Sequence, residues 1–445
     1  MDEYISRLLA AARDAGITAA EVYLASSDSF RAMCQQGVIN NYTVNSTRGL
    51  SLRGLSEGRM GYAATEAFDE DSIAQLIHGV KESASLSEDD SVQEIYPGDK
   101  VYPEVDNYAP ELDQITPEEK LDYIREAEKA LIACDPRLVA ATYNMISTVS
   151  SSIRIVNSYG LNLSMRDNAV VSYINGLAKE DGRSASESAL SVGRTFRKEE
   201  ALRTAREAAE KTLFMLGAQP VKSGVYRAIF DPYAMGDLLT VFSGIFSSEN
   251  AQQNMSLLSG REGEKIAADV VTLTDDPLME GGYESRAFDD EGVACRTLNV
   301  VENGVLKTLL YNLKTARKAG RTSTGSARKA SYASPVRVAP SNFFFRPGDK
   351  TLDELMADVG EGLVITSFGG LHAGANPMSG DFSLIAEGYT IHNGKKDQPV
   401  EQITVAGNFY DLLKFIRAVG SDLVFPGSGI GSPSVDVGEI RVSGK

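Results

Sequence analysis

The chain has 445 residues, with 44 Lys and Arg against 61 Asp and Glu and a formal charge of −17. The length suggests two or three domains, and 42% hydrophobic with 24% charged residues is globular composition, which excludes a disordered or fibrous chain. The acidic balance argues against a nucleic-acid partner, whose phosphates it repels.

Residues 2–15 read as a helix, because Ile5, Leu8, Leu9 and Ala12 recur at helical spacing and Gly16 is a natural stop. A strand follows at 20–25. Strand-like stretches alternate with turn signals from Val38 to Thr65, with a hairpin turn at Ser56-Glu57-Gly58-Arg59. A helix over 70–85 precedes an acidic stretch, 87–115, punctuated by Pro97, Pro103 and Pro110 and read as a surface excursion. Thr116-Pro117-Glu118-Glu119 is a capping box with Pro at the first helical position, so a helix should run to Ala133. Strands over 138–193 and a charged helix over 198–216 complete this half.

The two parts of the N-terminal half each read helix, strands, helix. Val44-Asn45-Ser46 followed by Gly49-Leu50 resembles Val156-Asn157-Ser158 followed by Gly160-Leu161. An internal duplication is one reading; ordinary turn chemistry is the other. Beyond Gln219-Pro220 comes a strand at 225–230, then Asp231-Pro232 as N-cap and first residue of a helix reaching Phe246. The rest is mainly β, with hairpins at Asn303-Gly304 and Asn393-Gly394 and helices at 312–319, 351–359 and 408–418. The fold class is α+β in two domains, 1–216 and 217–445, because no regular βαβ rhythm is present.

Cys34, Cys134 and Cys295 are odd in number and far apart, so they read as free thiols in a reducing cytosol. The acidic N-terminus lacks the basic region of a signal peptide. The longest uncharged run, Gly362 to Gly380, carries five glycines and reads as loop, so no membrane span is expected and the location is cytoplasmic. The three histidines, His78, His372 and His392, have no helical ligand spacing, which excludes a His-based zinc helix. His78 and His392 read as surface residues; His372, among glycines, is either a site residue or an ordinary loop residue. Asp289-Asp290-Glu291 before Gly292 offers a cation site, a general base, an Arg acceptor, or only a solvated turn. The segment from Arg321 through Ser323 and Thr324 to Arg328 is rich in donors for a carboxylate or phosphate, without being a Walker A loop. Gly380-Asp381-Phe382-Ser383 leads from the glycine-rich loop into a strand.

In order along the chain, these clusters together with Asn303-Gly304-Val305-Leu306, Ala406-Gly407-Asn408-Phe409, Ala20-Glu21-Val22-Tyr23 and Gly49-Leu50-Ser51-Leu52-Arg53 resemble the TldD/PmbA family, and most of all its PmbA (TldE) branch. The resemblance implies two α+β domains and a dimer. Family members are described as metalloproteases or as modulators of DNA gyrase. In some bacteria a TldD and a TldE chain form a heterodimeric peptidase acting on unfolded peptides, including microcin precursors.

TldD-like chains carry His-Glu-x-x-x-His on a helix after Gly-Pro, and a late Cys. Here the matching positions are Thr240, Val241 and Ile245, and the segment 425–433 has no Cys. A Val cannot polarise water and an Ile cannot bind metal. The resemblance therefore implies no catalytic residue and no cofactor in this chain, with zinc only in a TldD-type partner. The expected assembly is a homodimer or a heterodimer with a TldD-like protein, formed through the C-terminal half, enclosing a chamber for unfolded peptide. Candidate chamber residues are Asp289, Asp290, Glu291, Arg321, Ser323, Thr324, His372, Asp381 and Ser383. The alternatives are a homodimeric peptide-binding protein with no hydrolytic role, and an enzyme using a different site. The strands at 383–391 and 400–406 are expected either to present an open edge for peptide or to lie inside the sheet.

Overall fold

The computed structural model describes residues 1–87 and 93–445. The N-terminal half runs α1 (Asp2–Asp14), β1 (Ala20–Gln35), β2 (Val38–Ser56), β3 (Arg59–Thr65), α2 (Glu70–Leu86), then α3 (Pro117–Ala133), β4 (Leu138–Asn157), β5 (Asn162–Glu180), β6 (Arg183–Gly193) and α4 (Lys198–Met215). The six strands form one antiparallel sheet in the order β3-β2-β1-β4-β5-β6. Two helix–meander–helix units thus meet at their first strands, paired from Glu21↔Asn157 to Met33↔Met145. The topology repeats as a duplication requires. The short motifs that suggested it are not equivalent, however: Val44–Ser46 lies mid-β2, whereas Val156 and Asn157 end β4.

Alternation along β1 assigns its two faces. Ala20 and Val22 are buried with Leu50 and Leu52 under α1 and α2, while Phe30, Ala32 and Cys34 are buried with Ile146 and Ile174 under α3 and α4. The opposite face, carrying Glu21 and Tyr23, meets the C-terminal half. The strand signal at 20–25 extends to Gln35, because β1 and β2 continue as a long, polar hairpin that composition alone does not mark.

Local chemistry sets the ends of these elements. Glu57 and Gly58 have φ of +52° and +79°, the left-handed pair of a tight hairpin. The Glu119 N–H donates to Thr116 Oγ1 at 3.3 Å and the Thr116 N–H to Glu119 Oε2 at 2.8 Å, which completes the capping box. Of the stretch 87–115, residues 88–92 lie outside the described residues. The remainder is more than an excursion. Ile95 and Asn107 are buried, the Tyr102 hydroxyl donates to Gly292 O at 2.8 Å, and Asp99 Oδ2 accepts from the Ala294 N–H at 2.8 Å, so this strap ties the two halves together.

In the C-terminal half, β7 (Gly224–Phe230), β8 (Gly362–Gly369), β9 (Asp381–His392), β10 (Lys395–Asn408) and β11 (Val435–Ser443) pair in the order β10-β9-β8-β7-β11. A further pairing of β10 with β11, Thr404↔Ser443 to Ala406↔Arg441, closes the ring. This decides between the two expectations for 383–391 and, in part, for 400–406. The strand β9 lies between β8 and β10, so 383–391 is inside the sheet; the 400–406 stretch of β10 is paired to β9 and, from Thr404, also to β11, which among the described residues leaves 400–403 with a strand on one side only. Next to the ring sits α5 (Pro232–Phe242), whose Ala234, Met235, Leu238, Leu239 and Phe242 are fully buried. Each large apolar side chain so buried contributes roughly 1.5–3 kcal/mol, and Phe242 stacks on Phe409 at 4.6 Å. The helix expected to reach Phe246 tightens into a 3-10 turn at Ser243–Phe246. Of the run Gly362 to Gly380 that reads as loop, Gly362–Gly369 is the strand β8, its Leu363, Val364 and Ile365 buried between two neighbours, and the remainder holds a short helical turn, Leu371–Gly374. Among the described residues no helix is long and apolar enough to cross a membrane.

Candidate functional site

The acidic triplet lies at the seam between the two halves. Asp289, Asp290 and Glu291 are 0%, 2% and 5% exposed, which removes the reading of a solvated turn. Gly292 follows at φ +82°, and a Cβ there would meet Leu161 at 2.7 Å. Asp289 Oδ1 accepts from the N–H groups of Glu291 and Val293 at 2.9 and 3.0 Å, and Oδ2 from Ala327 at 3.1 Å. Burial, reinforced by the neighbouring Glu291, pushes Asp289 up to about 7. Asp290 accepts from the Tyr23 hydroxyl at 3.1 Å, Arg286 Nη1 at 3.3 Å and the Lys329 N–H at 2.7 Å. Glu291 accepts from Arg53 Nη1 at 3.1 Å and the Leu313 N–H at 2.8 Å.

Three residues that sequence reading left without a role complete the cluster. Arg53 on β2 also donates from Nε to Glu21 Oε1 at 2.7 Å. Burial opposes its charge, but Glu21 and Glu291 together hold the guanidinium above its usual range. Lys329 Nζ donates to Ser51 Oγ at 2.8 Å and stands 4.3 Å above the Tyr23 ring; burial and the nearby Arg53 bring it down to about 8. The strand motifs Ala20-Glu21-Val22-Tyr23 and Gly49-Leu50-Ser51-Leu52-Arg53 supply one side of this network and Phe288–Gly292 the other. A chain-distant pairing leaves no local spacing to read, so only the alternation of charged and apolar residues in these strands hinted at it. The arrangement works as a buried ionic joint in which Asp289, Asp290 and Glu291 are bonded to protein donors, while Glu21 Oε2 and Arg53 Nη2 are buried without a hydrogen-bond partner.

The other candidates stand apart from the joint. Ser323 and Thr324 are buried and bonded to the Tyr311 backbone, Ser323 Oγ donating to Tyr311 O at 3.1 Å and Thr324 Oγ1 accepting from Tyr311 N at 2.7 Å. Arg321 is exposed and pairs with Glu262 at 2.5 Å. Arg321 and Ser323 line a cleft of about 940 Å³ together with Arg296, Glu94 and Asp99. His372, Asp381 and Ser383 are exposed around the β8–β9 connection, and among the described residues no hydrogen bond joins the three. Asp381 accepts from Asn408 Nδ2 at 2.9 Å, which holds its carboxyl below the usual range. His78 and His392 are exposed, as expected.

A cleft of about 650 Å³ that sequence reading missed opens between α4, β6 and the start of α5. It is lined by Glu187, Lys211, Asp231 and Asp237 beside Tyr233 and Tyr389. Asp231 does cap α5, accepting from the Tyr233 and Ala234 N–H groups at 3.0 and 2.9 Å. Burial pushes Asp231 to about 7 and Asp237 to about 6.

The positions that the sequence resemblance matched to the metal motif, Thr240, Val241 and Ile245, do not fit a metal. Thr240 Oγ1 donates to the carbonyl of Gly236 within its own helix at 2.8 Å, Val241 packs against the core, and Ile245 is fully buried in the 3-10 turn. Among the described residues, no group of three or more His, Cys, Asp or Glu could hold a metal ion. Pro426, in the segment lacking the late Cys, packs on Gly236 of α5.

Comparison with known proteins gives matches along most of the chain. Models of PmbA/TldA metallopeptidase domain 1, central domain and C-terminal domain match residues 20–84, 110–216 and 223–444 in that order. A metalloprotease of Methanocaldococcus jannaschii is 28% identical, with 91% of this chain and 90% of that protein covered. Metalloprotease PmbA of Escherichia coli O157:H7 is 25% identical, with 96% and 92% covered. The crystal structure of a Thermotoga maritima protein described as a candidate modulator of a DNA gyrase superposes with a TM-score of 0.92 at 30% identity, over 99% of this chain and 100% of that one.

Proposed function

This chain belongs to the PmbA/TldD metallopeptidase family, and from that premise we propose that it is a PmbA (TldE)-type subunit without hydrolytic machinery of its own. It pairs with a TldD-type zinc peptidase and forms one wall of a chamber that admits unfolded peptides. One observation carries this reading. Where the catalytic branch places two His and a Glu, this chain has Thr240, Val241 and Ile245, whose side chains serve the helix and the core. The zinc and the activated water accordingly belong to the partner. An enclosed chamber suits a peptidase restricted to unfolded chains, since a folded domain is too wide to enter.

The test is tag-free purification from the source cell, followed by metal analysis and peptide-hydrolysis assays of the complex and of this chain alone. The expected result is a co-purifying TldD-like chain, with zinc and activity only in the complex. One tightly bound zinc per isolated chain would overturn the reading. So would chelator-resistant hydrolysis by the isolated chain that disappears in Asp290→Asn.

A further inference from the structure

The two topologically repeated units of the N-terminal sheet differ at one strand edge, bare in the first and covered in the second. The strand β3 pairs with β2 only from Leu50 to Ser56. From Val38 to Arg48, β2 has β1 on one side and, among the described residues, no strand on the other. Nearly every residue there is exposed, including Val38 at 64%, Tyr42 at 50% and Val44 at 64%. The Leu55 N–H donates toward β1, to Ala19 O. The register is unbroken from Ala20↔Gly54 to Met33↔Asn41, so alternation turns the N–H groups of Tyr42, Val44, Ser46 and Arg48 outward. Between Val38 and Thr47 there is no Lys, Pro, Asp or Glu, and the strand's one register shift lies near the hairpin tip, at Met33/Cys34. Apart from Arg48 at its end, such an edge lacks the charges, prolines and mid-strand bulges that normally prevent strand addition.

The second unit shows what occupies this position. There β6 covers β5 from Val170 onward, as β3 covers β2 from Leu50, so Asn168 stands where Arg48 does. The outward Asn168 N–H donates to Asn107 O at 3.4 Å. The Asn168 side chain accepts from Ala109 N at 2.9 Å and donates to Ala109 O at 2.8 Å. An extended, irregular piece of polypeptide from the strap thus lies on the covered edge.

We propose that the β2 edge between Val38 and Arg48 takes an extended, unfolded peptide as an added strand, bonded through the outward backbone groups at Tyr42, Val44 and Ser46. Its alternate side chains would rest on the ledge of Tyr42 and Val44, where Tyr42 already packs on Phe30 at 5.2 Å. The identity of the ligand rests on the peptide-handling function proposed above. Within Val38–Thr47 no Asp, Glu, Lys or Arg occurs, so Arg48 at its end is the one charged residue of the edge itself, and backbone pairing carries the recognition. A second copy of the chain is the poorer occupant. Eleven residues at ~3.3 Å rise and a sheet thickness of ~10 Å give a strip of roughly 360 Å², against about 800 Å² per partner in a stable interface. Two chains of charge −17 would also repel each other.

The experiment uses the full chain and a fluorescein-labelled, end-blocked twelve-residue peptide of Thr, Ser and Val, followed by fluorescence anisotropy. Val44→Pro removes an outward N–H and keeps the ladder to β1; it should weaken binding at least tenfold at unchanged melting temperature. Thr43→Pro removes an inward N–H and should lower the melting temperature. Should Val44→Pro not fold, Val44→Asp should make binding charge-selective, favouring a Lys-containing peptide over its Glu-containing counterpart. Unchanged affinity in folded Val44→Pro, or no charge selectivity in Val44→Asp, would overturn the proposal. So would a concentration-dependent dimer, lost in Val44→Pro, with no peptide binding. Peptide binding at the edge without any co-purifying TldD-like chain would support the proposal and count against the partner reading instead.

Discussion

Replacing Arg53 with Met tests whether the seam between the halves is an ionic joint. The Arg53, Glu21 and Glu291 side chains are 7%, 1% and 6% exposed, and the guanidinium reaches the two carboxylates at 2.7 and 3.1 Å. Met keeps the volume but leaves two buried carboxylates without their counter-ion. Breaking a buried pair by removing one partner costs about 3–5 kcal/mol, against ~0–1 kcal/mol for a surface pair. The loss should depend on pH with a definite sign. Burial already raises Glu21, and without Arg53 its folded pKa rises further. The penalty is therefore full only above the variant's raised folded pKa and shrinks as pH falls toward the unfolded value of about 4.3, where both states bind the proton. The chain has no Trp, so urea denaturation is followed by tyrosine fluorescence and circular dichroism. Adding Glu21→Gln to Arg53→Met should recover part of the loss, which a double-mutant cycle measures. A cost below ~1 kcal/mol near pH 7.5, or one that does not diminish near pH 4, would refute the joint.

Asp237→Asn should raise the melting temperature near pH 7.5 and leave it unchanged near pH 4. Burial pushes the folded Asp237 to about 6, so the unfolded chain releases this proton first and stability falls as pH rises from about 4 to about 6; equal gains at both pH values would contradict this. Ile245→His places an imidazole where a fully buried Ile stands, and should cost roughly 2–5 kcal/mol in chemical denaturation without creating a zinc site. Ile385→Pro interrupts β9 between its two neighbours and should lower soluble yield and melting temperature sharply; near-native stability would mean that the ring tolerates an opening there.

Local signals carried most of the fold. The Thr116–Glu119 capping box, the Asp231-Pro232 start of α5 and the Asn-Gly hairpins all form where their chemistry requires, because each is decided within four residues. What stayed hidden depends on long-range register. The polar half of β1 is a strand only because β2 and β4 flank it, and ring closure rests on the pairing of β10 with β11, which no alternation in either strand announces. The repeated topology was legible as a repeated order of elements, but not through the short motifs, since Asn, Ser and Gly recur wherever a strand turns.

The site was legible in composition and obscure in environment. Asp289-Asp290-Glu291 reads equally as a general base, a cation site or an Arg acceptor, and the third holds because Glu21, Arg53 and Lys329 arrive from strands more than 230 residues away or from the facing loop. Burial that excludes water also removes the base chemistry, since a general base needs a reachable proton. The positions Thr240, Val241 and Ile245 follow the same physics from the other side. The helix α5 packs through Leu238, Leu239 and Phe242, and that apolar stripe persists whatever occupies its remaining face. The family models accordingly match along most of the chain, while Thr240, Val241 and Ile245 are taken up by the helix and the core.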